Sequence, residues 1–282
     1  MTEMVQEARE RLMRFRIDWI MLGCAVTLVL FGLVTMNSFV GENSFFEKQV
    51  IWLGLSLAVF FATSFIDWSF LKRTQILVAL FAIVLGVLGT LLVAVRAVKG
   101  AQSWFDFGFF SFQPTDLAKL LLVLILAKYF SRRHVEIARI RHVIVSGIYA
   151  AILFAFVALQ PDFGGAVIIA CIWLGMVLVS GISKKHLFIL FSCATLAFTL
   201  LWNFGFKDYQ KDRIMTFIHP LEDIRGAGYN AYQSMIAVGS GQLLGKGIGY
   251  GTQSKLKFLP EYQTDFIFAA FAEEWGFIGV LI

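Results

Sequence analysis

Apolar residues run along this chain in long unbroken blocks, neither alternating with polar residues nor confined to one amphipathic stripe. Blocks fall at roughly 17–38, 48–66, 75–96, 114–130, 143–159, 164–182, 187–206 and 265–282. Each approaches the about 20 residues needed to cross a hydrocarbon core about 30 Å thick. Backbone polar groups in lipid must pair within their own segment, so each block predicts a helix. A transmembrane β-barrel would alternate polar and apolar positions, and these blocks do not. The pattern predicts an all-α integral membrane protein, a polytopic helix bundle of about eight spans. One long segment, 207–264, stands outside the blocks and predicts a large extracellular loop.

Charge then gives the bundle a direction. Arg9, Arg11, Arg14 and Arg16 precede the first block, and Lys72 and Arg73 follow the second. Arg132, Arg133, Arg139 and Arg141 follow the fourth, and Lys184 and Lys185 follow the sixth. With alternating spans all four groups share one side, which the positive-inside bias places in the cytoplasm together with the N-terminus. The opposite loops carry Lys48 and Lys99, with Arg96 at a span end.

Composition agrees. Of 282 residues, 59% are hydrophobic and 15% charged, against about 45–50% and about 25% in soluble domains. The net charge of +5 is therefore read as cytoplasmic-loop charge, and the absence of a basic-aromatic module argues against nucleic acid as a partner. Cys24, Cys171 and Cys193 lie inside apolar blocks and read as small packing residues. The four histidines show no metal-ligand spacing, and no metal site is expected from them. The chain stops at Ile282 within the last block, without a polar tail, which predicts a sequence that continues.

Four clusters carry chemistry. In the stretch from Lys99 to Lys119, Pro114 suits a first helical turn, and Asp116 follows where the helix dipole favours an anion. Lys119 lies on the same face, deeper in the bilayer, where a lysine must pair or face water. An Asp116–Lys119 pair anchoring the helix end and a cation poised for an anionic ligand, with Arg96 and Lys99 nearby, are both open. In the second cluster, Gln160-Pro161-Asp162, Asp162 makes a good N-cap, while Gln160 has no local partner in view. The third, the glycine-rich run from Gly239, is no nucleotide-binding P-loop: Ser240 and Gly247 stand where glycine and Ser or Thr are required. It is either a turn-rich loop or a set of free amides that meet a phosphate with Lys246. The fourth is Asp265, at the point where the long segment re-enters an apolar block. It is a candidate general base or a helix N-cap. Glu273 and Glu274 follow about two turns deeper, Glu273 nearer the Asp265 face, and intramembrane acids are functional candidates.

The motifs KGAQSWFDFG, FSFQPTDLAK, QPDFGGA and the run from Gln233 to Phe277, including GTQSKLKFLPE and TDFIFAAFAEEWGF, resemble the SEDS family (shape, elongation, division and sporulation). The GTQSKLKFLPE portion leans toward its elongation branch. The resemblance implies a bacterial cytoplasmic membrane protein of ten helices, of which this chain holds about seven and most of the eighth. It also implies an inverting peptidoglycan glycosyltransferase that polymerises lipid II at the outer membrane face. The family's essential aspartate, in LPE-x-x-TDFIFA, maps onto Asp265, and Glu261 belongs to the same motif. The family's glutamate and lysine of QPSE-x-x-K map onto Asp116 and Lys119. Three positions depart from the pattern: Asp116 replaces glutamate, Ser103 replaces arginine before Trp104, and Gly165 replaces threonine. Implied partners are lipid II, a class B penicillin-binding protein transpeptidase and other elongation-complex proteins. A divalent cation could share the pyrophosphate charge, but the sequence shows no clear ligand set for it. The competing reading is a lipid-linked precursor flippase or transporter; its polar groups should gather at the midplane with internal repeats, whereas these clusters sit at span ends.

Overall fold

The computed structural model describes residues 17–39, 44–94, 104–106, 111–131, 140–226 and 228–282. The chain folds as two compact units, residues 67–201 and residues 1–66 with 202–282. Arg96, Lys99 and Ser103, singled out above, lie outside the described residues.

The apolar blocks are helices, with ends close to those expected. They are α1 Trp19–Asn37, α2 Ser44–Ser64, α3 Thr74–Ala94, α4 Pro114–Ser131, α5 Ile140–Leu159, α6 Phe163–Val179 and α7 Lys184–Leu200. In the remainder come α8 Asp208–Ile218, α9 Tyr229–Ser240, the single turn α10 Thr252–Lys255 and α11 Ile267–Leu281. A 3₁₀ turn, Trp68–Lys72, precedes α3, and a π turn, Leu201–Gly205, continues α7. A two-residue pair of strands, β1 Phe105–Asp106 and β2 Ser111–Phe112, runs antiparallel just before α4. Among the described residues, five helices are long and apolar enough to cross a membrane: 19–37, 44–64, 74–93, 140–159 and 184–205. Helix α6 is apolar but shorter.

Local chemistry sets the helix starts. Asp18 accepts from the amides of Ile20 (3.1 Å) and Met21 (3.0 Å) at the head of α1. Ser183 caps α7 through the His186 amide. This side-chain cap satisfies an amide that the first turn leaves without a helical partner, and it explains why α7 begins at Lys184, inside the predicted basic turn.

In the unit 67–201, helices α3, α4, α5 and α6 pack together. Their core holds Leu88, Leu122, Leu126, Leu153, Val157 and Ile169, all fully buried. Small residues let α5 and α6 approach: a Cβ on Gly147 would lie 3.2 Å from the Trp173 ring. The Trp173 indole donates to Ser146 Oγ across the same interface at 3.1 Å, the kind of interhelical bond that ties helices in lipid. By contrast α2 and α7 bury no residue, and Ile, Leu and Phe side chains cover their surfaces. A helix apolar all round needs a nonaqueous neighbour, and here that neighbour is the bilayer. The three cysteines, expected as packing residues, are exposed on α1, α6 and α7; a position inside an apolar block does not distinguish a lipid-facing side from a packed one.

In the other unit, α11 packs against α9 and α1, and α1 against α2. Phe31 and Trp275 meet with ring centroids 5.1 Å apart, and the Trp275 indole donates to buried Thr35 Oγ1 at 2.9 Å.

Candidate functional site

The last helix is interrupted. Gly276 has φ +68°, a left-handed conformation open to glycine and costly elsewhere. The interruption frees backbone groups, and the glycine-rich segment supplies their partners. Phe277 and Ile278 donate to the carbonyls of Gln242 (2.9 Å) and Leu243 (3.1 Å). In return, Lys246 and Gly247 donate to the carbonyls of Glu273 (2.9 Å) and Glu274 (3.0 Å). The two stretches lie backbone to backbone. At Gly245, φ is +78° and an added Cβ would stand 2.1 Å from the Glu274 carbonyl oxygen. The glycines therefore permit a close approach of main chains. Gly245→Ala is expected to lower thermal stability by roughly 1–3 kcal/mol from backbone strain alone, read as a lower melting temperature of the purified protein.

Two carboxylates complete this junction. Glu273 is fully buried. Its Oε1 accepts from Lys246 Nζ (2.7 Å), the Thr252 amide (2.8 Å) and hydroxyl (2.9 Å), and Ser240 Oγ (3.4 Å). Its Oε2 accepts from the Gln253 amide at 3.1 Å. Lys246 also donates to Thr252 Oγ1 at 2.8 Å. Glu274, likewise buried, accepts from Ser38 Oγ at the end of α1 (2.7 Å) and from the Gly249 amide (3.0 Å). A buried carboxylate needs such charge-assisted donors to offset its lost hydration.

This corrects one sequence expectation. The amides of Lys246, Gly247, Gly249, Thr252 and Gln253 are engaged by α11, so they are not a free cradle for phosphate. Lys246, expected as a substrate-facing cation, is held by Glu273. The physical reason is the break in α11 with its two buried acids, whose carboxylates and neighbouring carbonyls take up these five amides. A buried Glu-Glu pair preceding a glycine is the sequence signal that could have suggested it.

Asp265 differs from both glutamates. It is exposed, and among the described residues it makes no hydrogen bond or ion pair. It does not cap α11: Phe266 holds the cap position and no side chain caps that end. The turn that presents it is built by Glu261, whose carbonyl accepts from the amides of Thr264 and Phe266, both at 3.1 Å. The exposed Glu261 carboxylate accepts from Thr264 Oγ1 at 3.1 Å.

The remaining candidates belong to the unit 67–201. Lys119 donates to Asp116 at 2.9 Å at the head of α4, one of the two arrangements the sequence leaves open, with Asp116 largely exposed and Lys119 mostly covered. Asp162 caps α6 through the Gly165 amide (2.8 Å), and Gln113 Nε2 reaches its other oxygen at 3.3 Å. Gly165 suits this cap, since a Cβ there would lie 2.4 Å from Asp162 Oδ2. Gln160 is fully buried, and the sequence reading gave it no partner; it finds one far along the chain, donating to the Leu88 carbonyl at 3.0 Å. Its Oε1 and the Thr115 hydroxyl, both buried, have no hydrogen-bond partner among the described residues. Among the described residues, no three His, Cys, Asp or Glu side chains gather as ligands for a metal ion.

A family model for FtsW, RodA and SpoVE, described as cell cycle protein, matches residues 10–282. Peptidoglycan glycosyltransferase MrdB of Escherichia coli K12 is 42% identical over 199 residues, covering 68% of this chain and 53% of the relative. The probable peptidoglycan glycosyltransferase FtsW of Haemophilus influenzae is 34% identical over 268 residues, covering 91% of this chain and 66% of that protein. The alignment with MrdB thus takes in about half of that relative's length. A solved structure of a peptidoglycan synthase complex, described as coordinating polymerization and crosslinking, matches with a TM-score of 0.75 at 29% identity, covering 94% of this chain and 73% of that one. The crystal structure of the rod shape determining protein RodA of Thermus thermophilus matches with a TM-score of 0.61 at 27% identity, covering 94% and 69%. With its apolar helices, its Asp265 motif and a family match along nearly its whole length, the chain belongs to the FtsW/RodA/SpoVE family of bacterial membrane proteins, the SEDS family.

Proposed function

We propose that this chain is the greater part of a peptidoglycan glycosyltransferase that polymerises lipid II during cell elongation. It would lie in the cytoplasmic membrane with its N-terminus inside and with about eight of ten spans present. The observation that carries the reading is the contrast among three acids near the end of the chain. Glu273 and Glu274 are buried and engaged by the glycine segment, while Asp265 is exposed and, among the described residues, uncommitted. Stability accounts for the first two and leaves the third available for chemistry.

The substrate rationalises the placement. A polyprenyl tail stays in lipid while its sugars and pyrophosphate reach water, so the reacting atoms meet the protein at the membrane boundary. Asp265 takes the proton from the acceptor's GlcNAc 4-hydroxyl. The freed oxygen attacks the donor's anomeric carbon with inversion, and the bond to undecaprenyl pyrophosphate breaks. Fixed cations stabilise the charge that develops on the leaving group. Lys119, oriented by Asp116, is the candidate among the described residues, with Arg96 and Lys99 as further candidates. Asp162 and Gln160 hold the neighbouring helix ends in place, and Lys246 belongs to the fold of the glycine segment. A divalent cation could share the charge work, and no step above depends on one. The reading extends to a class B penicillin-binding protein as partner, by analogy with the synthase complex. The test is gel analysis of labelled lipid II incubated with the purified full-length protein and its transpeptidase partner. Glycan ladders are expected, and recovery of unreacted lipid II alone overturns the reading.

A further inference from the structure

The exposed Asp265 side chain makes no bond among the described residues, so its place depends on the turn that carries it. That turn is built under constraint. Glu261 takes φ +50°, a left-handed value uncommon for a residue with a side chain, and such strain persists only where the surroundings hold it. The holding contacts are aromatic. Tyr262 and Phe266, on either side of Asp265, pack against a small core of buried Ala237 on α9, Leu259, and Ala269 on α11. Phe266 is fixed by α11, which begins at the next residue. Tyr262 stands outside any helix, and a second wall against its ring comes from the other end of the chain. Phe39, just beyond the end of α1 and 5% exposed, meets Tyr262 edge to face, with ring centroids 4.7 Å apart and planes at 88°. Its neighbour Ser38 donates to Glu274 at 2.7 Å, which ties this end of α1 to α11 and keeps it beside the turn.

We propose that Phe39 is a positioning residue for Asp265, acting through Tyr262. The inference rests on the glycosyltransferase reading and adds to it a residue remote in sequence from every motif that carries that reading. In an edge-to-face pair the edge of one ring meets the face of the other, an attraction beyond that of the buried area alone. A small side chain at position 39 leaves a cavity beside Tyr262. The tyrosine ring then turns into that space, and the strained backbone at Glu261 relaxes. Asp265 belongs to the same turn and moves with it. Proton transfer needs a heavy-atom approach of about 2.6–3.2 Å, and a misplacement of about 1 Å costs about 10²-fold in rate. Phe39 is buried and acts only on the placement of the base, so the loss falls on kcat and leaves KM in place.

The test is steady-state polymerisation of labelled lipid II by the purified full-length protein with its transpeptidase partner. Phe39→Ala is expected to lower kcat by roughly 10-fold, a part of the loss that a full 1 Å displacement brings, with KM unchanged. Phe39→Leu keeps an apolar side chain in the space and removes the ring, and is expected to lower kcat by roughly 5-fold; it carries the comparison if Phe39→Ala does not fold. Tyr262→Leu is expected to match Phe39→Ala, and the double variant to lose no more than the weaker of the two, because residues that act as one unit are not additive. Thr35→Val serves as the control: it removes the bond from Trp275 to the same helix, and is expected to lower the melting temperature while kcat stays at the wild-type value. Wild-type kcat in the Phe39 variants overturns the inference alone. So does a double variant whose loss is the product of the two single losses, and so does a Thr35→Val protein that loses as much kcat as Phe39→Leu. Absence of polymer from the wild type overturns the glycosyltransferase reading and this inference with it.

Discussion

Glu273→Ala is expected to loosen the whole stretch from Ser240 to Gln253. The substitution removes one fully buried carboxylate and strands the donors that converge on it: the Lys246 ammonium, the Thr252 amide and hydroxyl, and the Gln253 amide. Removing one partner of a buried ion pair costs about 3–5 kcal/mol, and each buried donor left unmet costs about 1–3 kcal/mol. Lys246 is partly exposed and can turn toward water, so the lower end, about 3 kcal/mol, is the expected loss. The checks are the melting temperature of the purified protein and protease sensitivity confined to 240–253. Lys246→Met should cost less, because the carboxylate keeps its amide donors. Equal stability of Glu273→Ala and the wild type would show that these bonds do not hold the segment.

Asp265→Asn is expected to act in the opposite manner, abolishing turnover while leaving the fold intact. The side chain is exposed and supports no neighbour among the described residues, so an isosteric amide changes nothing that packs. An amide cannot accept the sugar hydroxyl's proton, and a positioned base contributes typically about 10²–10⁴-fold to rate. The initial rate of glycan formation should therefore fall by about that factor, with the melting temperature unchanged. The two variants together separate chemistry from folding: one loses the stability of the segment that leads to Asp265, and the other loses only the proton acceptor.

Much of the fold was legible because the bilayer fixes helix length. The block at 143–159 appears as α5, Ile140–Leu159, and the block at 75–96 as α3, Thr74–Ala94. The sequence pattern is least informative where polarity and helix do not coincide. Lys184 and Lys185 lie between two apolar blocks, yet Ser183 caps a helix that begins there. The segment 207–264, expected as a large extracellular loop, contains the short helices α8, α9 and α10, to which hydropathy is blind because they carry polar residues. Among the site residues, the Asp116–Lys119 pair and the Asp162 cap could be read from local spacing. The setting of Glu273 could not: its donors lie about 20 or more residues away in the chain, and two of them are backbone amides that leave no mark in a sequence. The glycines invited a phosphate-binding reading for the same reason. A glycine shows that a backbone must approach something, without saying whether the neighbour is a ligand or another stretch of the same chain.

The most direct measurement compares wild type and Asp265→Asn from matched preparations, each with its transpeptidase partner, for lipid II binding and for polymer formation on the same day. Both proteins should bind lipid II comparably, and only the wild type should yield glycan strands. Polymer from the Asp265→Asn protein at a near wild-type rate would contradict the assignment of that carboxylate as the base.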